Sequence, residues 1–487
     1  MSKKALSKKR VRLFSRTICL LAFISMVVFL FFLHRMGVLP AKYFSIIAGV
    51  LCFLEALFIL VVINRKMKSW ILLFFSICAI FGMIGEIYAS GKLYQTYKFL
   101  DQDMKVKETK DVYYIVVNSN SNYTDLKSID GKIVYYYKDM DDFNKVNNVV
   151  KNKINVVLTE VESYSDLTDD LLTNNDKIIL ISEASFDALV EQDQETHIED
   201  SLVKLTNFEI TKEIENTENN EDITKKPFTI YLSGIDTRSG KMPSRSLSDV
   251  NMFIVVNPGT RKILMVNIPR DYYVQIHGTK GLRDKLTHAG VLGGVKLSKQ
   301  TIEDILDTKA DYYARVNFNS VIKLVDAIGG ITIDNDVNYS FTCWTDRECV
   351  FKPGKNKVGG KCALAFARER HAYTSGDRHR GENQQQVIRK VVDKLSSSKS
   401  LISNYDKLLK ALDGSFETSL STKNITSLVQ FQINDMRGWN FITSNVNGTG
   451  AMKETYSYPK RKLSVMIPTQ STIDKAKTKI KEVMSEN

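Results

Sequence analysis

The segment VNMFIVVNPGTRKILMVNIPRD, residues 250–271, decides the fold of the C-terminal half of this 487-residue chain. Two runs of mainly β-branched and other apolar residues flank the sequence NPGT, and that arrangement predicts a β-hairpin. If NPGT forms the turn, Asp249 lies opposite Ile268 or Pro269. The sequence therefore predicts that Asp249 and Arg270 emerge at the same end of a sheet.

Another acidic residue is predicted at this edge. The segment FTIYLSGID predicts the preceding strand, and it ends at Asp236. Ligands of α/β proteins commonly bind at strand ends. Two carboxylates beside an arginine suit a hydrated Mg²⁺ ion next to a phosphate. From the spacing alone, a simple salt bridge between Asp249 and Arg270 is the favoured alternative.

A second group of anion-binding candidates lies in ALAFARERHAYTSGDRHRGENQQQVIRKVV, residues 363–392, which contains five arginines. Arg368 and Arg370 face one side if the chain is extended, but they diverge if the helix predicted from KCALAFA continues through them. Arg380 and Gln384 share a face at the start of the next predicted helix, where anions are attracted. Guanidinium groups at this density favour carboxylate or phosphate binding. A solvated basic face is the alternative.

The basicity of the chain is concentrated in its N-terminal segment. Residues 1–90 contain twelve Lys/Arg and two acidic residues, a charge of +10, so only +2 of the net +12 is left for the rest. Three apolar runs are each about long enough to cross a membrane, namely residues 17–33, 43–63 and 69–85. Basic residues precede the first run and follow the second. This predicts a cytoplasmic N-terminus (1–16), three transmembrane helices (17–90) and an extracellular remainder.

The extracellular part is predicted to contain two α/β domains. After a juxtamembrane linker (91–110), strand-like runs such as KIVYYY and KIILIS alternate with helix-like runs such as EASFDALVEQ, which predicts a small accessory α/β domain (110–210). Residues 211–226 are polar without apolar periodicity and are predicted to be a linker. Residues 227–487 are predicted to form a larger α/β domain, with a central sheet flanked by helices.

The cysteines include one candidate disulfide. Cys343 and Cys349 flank WTDRE in a predicted external loop, where an oxidising compartment permits a disulfide between them. The spacing leaves this pairing open, and Cys362 would then be a free thiol.

Five stretches between residues 227 and 395 resemble, in the same order, those of the LytR-CpsA-Psr family. They are IYLSGIDTR, SDVNMFIVVNPGTRKILMVNIPRDYYVQIHG, RDKLTHAG with GG downstream, DYYARVNFNSVIKLVDAIGGITI, and FARERHAYTSGDRHRGENQQQVI. Three spans followed by an extra α/β domain further resemble the capsule-associated members of that family. The resemblance implies a membrane-anchored, extracytoplasmic phosphotransferase. It would move a glycopolymer, here capsular polysaccharide, from a polyprenyl-pyrophosphate carrier to a peptidoglycan hydroxyl.

The resemblance also implies roles for individual residues. Asp236 and Asp249 would hold Mg²⁺, and Asp249 is the candidate for accepting the proton of the acceptor hydroxyl. Catalysis would rest on Asp249 together with three arginines, namely Arg270, Arg368 and Arg370. Contacts to the pyrophosphate and its head group would come from basic and amide side chains: Arg238, Arg270, Lys285, Arg368, Arg370, Arg380, Gln384 and Gln385.

One position departs from the family pattern. The family's sequence RSD before the hairpin is LSD here, with Leu247 at the first position, while Arg245 lies two residues earlier. Either Arg245 reaches the site instead, or one phosphate contact is missing. The departure predicts weaker activity or a changed donor head group.

Two other functions are compatible with the same residues. A non-catalytic membrane regulator would bind lipid-linked polymer or capsule assembly proteins without turnover. A hydrolase would cleave the carrier pyrophosphate with water in place of the sugar acceptor. Nucleic-acid binding by the arginines is excluded by the predicted external topology, and the basic N-terminus is explained by anionic lipid.

Overall fold

The structure is a computed structural model. It describes residues 3–37, 39–98, 108–138, 140, 142–191, 198–213, 222–236, 242–374, 376–396 and 416–486. The sequence predictions that lie outside the described residues in whole or in part include Arg238, residues 99–107 of the juxtamembrane linker, and residues 214–221 of the interdomain linker. The chain divides into two compact units. The first comprises Met1–Lys105, Asn220–Thr224 and Ser421–Arg437, and the second comprises Val106–Asn219, Lys225–Leu420 and Gly438–Asn487.

Long apolar helices dominate the first unit. They are α1 (Lys3–Met36), α2 (Ala41–Ile63) and α3 (Ser69–Lys98), and their apolar windows have mean hydropathies of 2.5, 3.0 and 2.1. All three are long and apolar enough to cross a membrane, as the sequence predicts. A later helix, Thr422–Asp435, belongs to the same unit and is α11 in chain order. Lys42 Nζ donates to Asn434 O at 3.1 Å, so α11 contacts the start of α2.

A five-stranded sheet occupies residues 108–213 of the second unit. Its strands are β1 (Glu108–Asn118), β2 (Ile133–Tyr137), β3 (Val157–Val161), β4 (Ile178–Ser182) and β5 (Leu202–Glu213), in the order β3-β2-β4-β1-β5. Its helices are α4 (Phe143–Lys151), α5 (Tyr164–Thr168) and α6 (Glu183–Glu191). In β1, Ile115 and Val117 pack on the α4 side, and Val116 packs on the α6 side. This alternation follows from the two-residue period of a strand.

A six-stranded sheet forms the centre of the C-terminal region. Its order is β16-β11-β6-β7-β8-β17, built from β6 (Phe228–Ile235), β7 (Val250–Asn257), β8 (Lys262–Ile268), β11 (Tyr312–Asn317), β16 (Phe416–Thr418) and β17 (Asn440–Asn445). Strand β7 is antiparallel to both of its neighbours, β6 and β8, whereas β11 is parallel to β6 and β17 is parallel to β8. Short strands complete the region: β9 (Tyr273–Gln275), β10 (Arg283–Lys285), β12 (Ile331–Asn335), β13 (Phe341–Thr342), β14 (Val350–Phe351), β15 (Gly354–Val358), β18 (Gly448–Glu454) and β19 (Lys462–Pro468).

Helices cover both faces of this sheet. They are α7 (Leu286–Leu306), α8 (Phe318–Ala327), α9 (Gly360–Arg368), α10 (Asp377–Leu395) and α12 (Gln470–Ser485). Alternate residues of the central strands, such as Phe253, Leu264 and Val266, pack against α7 and α12. Helix α10 runs along β8 and β17 on the other face. Burying each such aliphatic side chain contributes about 1.5–3 kcal/mol. The predicted architecture, a central sheet flanked by helices, is confirmed.

The hairpin differs from its prediction in register. Asn251 lies opposite Ile268, and the strands are joined by four residues, 258–261. Arg261, the last of these, has a left-handed φ of 56°. The loop therefore extends one residue past the predicted turn. As a result Ile268 pairs with Asn251, and not with Asp249, which lies two residues earlier in the chain. Continuing the register places Asp249 opposite Arg270, so the prediction that the two share one end of the sheet is confirmed.

The predicted disulfide between Cys343 and Cys349 is wrong. Cys349 is bonded to Cys362 on α9, and Cys343 is a buried free thiol. Cys343 N donates to Cys349 O at 2.9 Å, so the two backbones are adjacent. The Cys349 sulfur nevertheless bonds towards α9, while Cys343 packs into the core beside Phe341. Burial, followed by the nearby carboxylates of Glu369 and Asp346, raises the pKa of Cys343 to about 12.

Candidate functional site

A cavity of about 510 Å³ lies at the edge of the six-stranded sheet where β6 and β8 end and β7 begins. Its basic lining residues are Arg270, Arg368, Arg370, His371 and Arg380, and its acidic ones are Asp187, Glu191, Glu199, Asp200, Asp236 and Asp249. Strand direction explains this convergence, because antiparallel neighbours bring the end of one strand beside the start of the next. The cavity therefore contains most of the site residues that the sequence predicts.

Arg270 lies at the bottom of the cavity among three carboxylates. Its Nη1 donates to Asp249 Oδ1 at 2.6 Å, and its Nη2 forms an ion pair with Glu191 Oε1. Its Nε lies 3.8 Å from Asp271 Oδ2. Burial lowers the pKa of Arg270, but the attraction of Asp249, Glu191 and Asp271 outweighs it and holds the pKa above its usual range. Arg270 is therefore a fixed positive charge.

Arg368 and Arg370 both reach the cavity because α9 ends between them. Arg368 is the last helical residue, and Glu369 has an extended backbone with φ −70° and ψ 130°. Arg368 Nη2 donates to Asp236 Oδ2 at 3.2 Å, and its guanidinium lies 4.8 Å from the centre of the Phe318 ring. The sequence left open whether Arg368 and Arg370 face one side or diverge. The extended backbone at Glu369 lets both line the same cavity.

Glu369 itself fixes the turn that presents Arg370. Its buried carboxylate accepts hydrogen bonds from His371 N at 2.7 Å, Ala372 N at 3.0 Å and Trp344 N at 2.5 Å. A buried carboxylate with three backbone donors is fully satisfied. The sequence analysis did not assign this role, because its donors come from residues on either side of α9.

Helix α10 supplies Arg380 and Gln384, and both line the cavity as predicted from their spacing. Gln385 is directed elsewhere. Its Nε2 donates to Met265 O at 3.1 Å and to Ser444 O at 3.0 Å, so it joins α10 to β8 and β17. The prediction that Gln385 contacts the head group is not supported, because its side chain is buried between the helix and the sheet.

Two further predicted basic residues lie outside the cavity lining. Lys285 Nζ forms an ion pair with Asp271 Oδ1 at 2.6 Å. Lys285 and Arg270, in that order, outweigh the effect of burial and lower the pKa of Asp271. Arg245 lines a separate small cavity together with Tyr113 and Tyr137 of the five-stranded sheet. Arg245 therefore does not replace the arginine that is missing at Leu247.

The structure explains why a leucine stands at this position. Leu247 packs against Ala184 and Ala188 of α6 and against Val291 of α7. An arginine there would bring a charge into an apolar contact. The contact also brings α6 to the cavity, where Asp187 and Glu191 form part of the wall. The sequence analysis assigned no site role to the accessory region, and Leu247 was the only signal of this contact.

A buried arginine holds the loop that precedes Asp249. Arg315 on β11 donates through Nη1 to Pro243 O at 2.8 Å and to Glu417 Oε2 at 2.7 Å. Its Nη2 donates to Ser246 Oγ at 3.0 Å. The sequence analysis missed this residue, because Glu417 is 102 positions away.

The donor set suits one hydrated divalent cation. Asp236 and Asp249 present carboxylates to the same cavity beside the arginines, and Mg²⁺ usually takes one or two carboxylates together with phosphate oxygens and water. Among the described residues there is no group of three or more His, Cys, Asp or Glu side chains arranged to hold a metal. The residues therefore fit a cation that takes two carboxylates from the protein and its remaining ligands from elsewhere.

A Ser-His-Asp group elsewhere in this unit does not have the geometry of a nucleophilic triad. His288 Nδ1 contacts Asp284 Oδ1 at 2.7 Å and Ser457 Oγ at 3.1 Å. In a triad the serine and the carboxylate lie on different ring nitrogens. Ser457 Oγ also donates to Asp284 Oδ2 at 2.6 Å. The group is buried and ties the β18–β19 region to the start of α7.

Comparisons with known proteins identify the family of the chain. The sequence profile of the LytR_cpsA_psr family matches residues 198–479. The chain is 35% identical over 213 residues to Biofilm regulatory protein A of Streptococcus mutans, covering 42% of this chain and 52% of that protein. It is 32% identical over 238 residues to the polyisoprenyl-teichoic acid–peptidoglycan teichoic acid transferase TagU of Enterococcus faecalis, covering 48% of this chain and 75% of that protein.

Among solved structures, TagV of B. subtilis is 26% identical in sequence to this chain. The superposition covers 54% of this chain and 99% of TagV, with a TM-score of 0.45. The match to the Streptococcus mutans protein spans about half of that relative's length. The family profile, by contrast, covers more than half of the present chain and includes Asp236, Asp249, Arg270, Arg368 and Arg380. The chain belongs to the LytR-CpsA-Psr family.

Proposed function

We propose that this protein is a membrane-anchored phosphotransferase that moves a glycopolymer from a polyprenyl-pyrophosphate carrier to peptidoglycan. The observation that supports this most strongly is the convergence of four arginines, Arg270, Arg368, Arg370 and Arg380, with Asp236 and Asp249 in one cavity. Arginine forks bind phosphate oxygens bidentately. Relatives in the family are named as transferases of teichoic acid to peptidoglycan.

The proposed reaction requires positioning and charge neutralisation more than covalent participation by the protein. The oxygen of the acceptor hydroxyl attacks the phosphorus that bears the glycan, and the bond from that phosphorus to the bridging oxygen breaks. Polyprenyl phosphate leaves, and the hydroxyl proton passes to a base, for which Asp249 is the proposed group. Arg270, Arg368 and Arg370 hold the non-bridging oxygens during the displacement.

Asp236 and Asp249 would hold the Mg²⁺ ion of the site. When bound, the ion lowers the negative charge on the phosphate oxygens and on the leaving group. The arginine partners of the two carboxylates fix their orientation, since Arg368 donates to Asp236 and Arg270 donates to Asp249. Arg380 and Gln384 border the same space and would complete the head-group contacts.

The proposed polymer is capsular polysaccharide, and the proposed location is the outer side of the cytoplasmic membrane. Support for the location comes from the basic residues at the N-terminus, which predict a cytoplasmic start. The structure adds the contact between Lys42, which begins α2, and Asn434 of α11. Residues in direct contact lie on the same side of a bilayer, so the loop between α1 and α2 and helix α11 would both be outside.

The test uses the purified full chain with a synthetic polyprenyl-pyrophosphoryl oligosaccharide, Mg²⁺ and peptidoglycan fragments, read by mass spectrometry. We expect a glycan-phosphate adduct on the peptidoglycan, lost on chelation. Arg368→Ala should lower the rate by about 10²–10³-fold, as for removal of one donor to a developing charge. Arg389→Ala is the matched control, because Arg389 is on α10 and pairs with exposed Asp393.

Each other outcome points to a different function. Release of free glycan-phosphate without an adduct would identify a hydrolase of the carrier pyrophosphate. Tight binding of the lipid without turnover would identify a sensor of lipid-linked polymer. An adduct formed equally by wild type and Arg368→Ala would place the chemistry outside this cavity.

A further inference from the structure

Helix α6 belongs to the five-stranded region and ends at Glu191, which reaches the predicted phosphate site. The family profile begins at residue 198, so Glu191 lies outside the segment that this chain shares with its family. Its side chain is 18% exposed and pairs with Arg270, which is 12% exposed. A residue from outside the family region therefore contacts a central arginine of the site.

The contact leaves Arg270 with little capacity for a further anion. Both terminal nitrogens of its guanidinium face carboxylates, Nη1 that of Asp249 and Nη2 that of Glu191. A bidentate phosphate uses two adjacent N–H groups of the fork. Three carboxylates, those of Glu191, Asp249 and Asp271, face the positive charges of Arg270 and Lys285. A pyrophosphate bound to Arg270 would therefore place further negative charge directly beside the carboxylates of Glu191 and Asp249.

Of the three carboxylates, that of Glu191 is the one the fold can release. Asp249 and Asp271 are held by the hairpin that also carries Arg270, and Asp271 has a second partner in Lys285 at 2.6 Å. Glu191 comes from a separate element, α6 (Glu183–Glu191), and not from the hairpin that carries Arg270. The helix meets the C-terminal region through small apolar contacts, those of Ala184 and Ala188 with Leu247.

From these contacts we infer that Glu191 competes with the pyrophosphate of the carrier for Arg270 and thereby sets the affinity of the site for its lipid substrate. Glu191 acts through Arg270 and is a positioning residue. Pyrophosphate binding displaces the Glu191 carboxylate and loosens the contact of α6 with Leu247. Because binding linkage is reciprocal, a docked α6 weakens pyrophosphate binding by the same factor. This inference rests on the proposed function.

The test measures binding of inorganic pyrophosphate to the full chain in nanodiscs by calorimetry, with Mg²⁺ present. Glu191→Gln keeps the size of the side chain and removes its charge, and we expect about tenfold tighter binding. Glu191→Ala should tighten binding to a similar extent. Asp187→Asn is the matched control, since Asp187 lies one turn earlier on α6, borders the same cavity and is not among the residues paired with Arg270. It should change the affinity by about twofold or less.

Hydrogen exchange supplies a readout that a purely structural role would not produce. Pyrophosphate should increase amide exchange in residues 183–191 of the wild type, and this increase should be much smaller in Glu191→Gln. In the transfer assay, Glu191→Gln should lower KM for the lipid donor while kcat stays within about threefold.

The outcomes separate the inference from the function on which it rests. Unchanged or weaker pyrophosphate binding by both Glu191 variants, with binding abolished in Arg270→Ala, would overturn the inference and leave the phosphate site intact. Binding that Arg270→Ala does not affect, or no binding by any variant, would overturn the phosphate site and the inference together. If Asp187→Asn tightened pyrophosphate binding as much as Glu191→Gln, the effect would come from the overall negative charge of the cavity. That result would also refute competition between Glu191 and pyrophosphate for Arg270.

Discussion

The ion pair between Arg315 and Glu417 makes a sharp prediction, because it is buried and holds the loop before Asp249. The side chains are 2% and 7% exposed, and Arg315 Nη1 lies 2.7 Å from Glu417 Oε2. Removing one partner of a buried pair costs about 3–5 kcal/mol, since it leaves an uncompensated charge. The loss of stability in Glu417→Gln should be near the lower limit of about 3 kcal/mol, because Arg315 keeps Pro243 O and Ser246 Oγ as acceptors.

The reverse change should cost more. In Arg315→Met the Glu417 carboxylate keeps a hydrogen bond from the Tyr313 hydroxyl at 3.1 Å but has lost its cation. We expect a loss near the upper limit of about 5 kcal/mol. The double variant Arg315→Met/Glu417→Leu should recover most of this loss and remain about 1–2 kcal/mol below wild type, because the Pro243 and Ser246 groups lose a donor.

The assay is thermal unfolding of the detergent-solubilised chain, followed by near-UV circular dichroism. A loss of 3–5 kcal/mol corresponds to a fall in Tm of about 4–7 °C for a unit of this size. Arg389→Ala is the control, because it removes only an exposed pair with Asp393 at 3.8 Å and a contact 5.7 Å from the centre of the Phe441 ring, and it should shift Tm by about 1 °C or less. The reasoning is refuted if Glu417→Gln behaves like this control, or if the double variant is no more stable than Arg315→Met alone.

Two further predictions concern the stability of the same unit. Burial raises the pKa of Asp284, but the His288 ring and the hydrogen bonds from Ser457 outweigh it and hold the pKa below its usual range. The stabilisation is therefore complete above the unfolded pKa of about 3.9 and is lost as pH falls through the folded value. Asp284→Asn should lower Tm at neutral pH, and its Tm should fall less steeply than that of the wild type below about pH 4. An equally steep fall of Tm with pH in both proteins would contradict this. Breaking the link between Cys349 and Cys362, which closes a 13-residue separation, should cost about 3 kcal/mol. Cys362→Ser and reduction of the wild type should give the same fall in Tm. Cys343→Ser should lower Tm only through its smaller packing effect, and reductant should then lower the Tm of this variant by as much as it lowers that of the wild type.

The sequence by itself was sufficient for features that depend on local periodicity. Three apolar runs predicted α1, α2 and α3, and shorter strand-like runs predicted β2 and β4 of the five-stranded sheet and β6, β7 and β8 of the six-stranded sheet. The turn sequence NPGT predicted the hairpin, and its strand ends correctly placed Asp249 and Arg270 together. These signals are local because an element needs only its own residues to show a period of two or of 3.6.

The tertiary structure decided the features that depend on which distant side chain comes nearest. Arg368 meets Asp236 across 132 positions, and Gln385 turns to the carbonyls of β8 and β17 rather than to the cavity. Cys349 bonds to Cys362 and not to the nearer cysteine in sequence. Glu191 reaches Arg270 because α6 packs on Leu247. Such choices follow from the close packing of whole elements, since a buried charge or amide takes the partner that the packed elements bring within hydrogen-bonding distance.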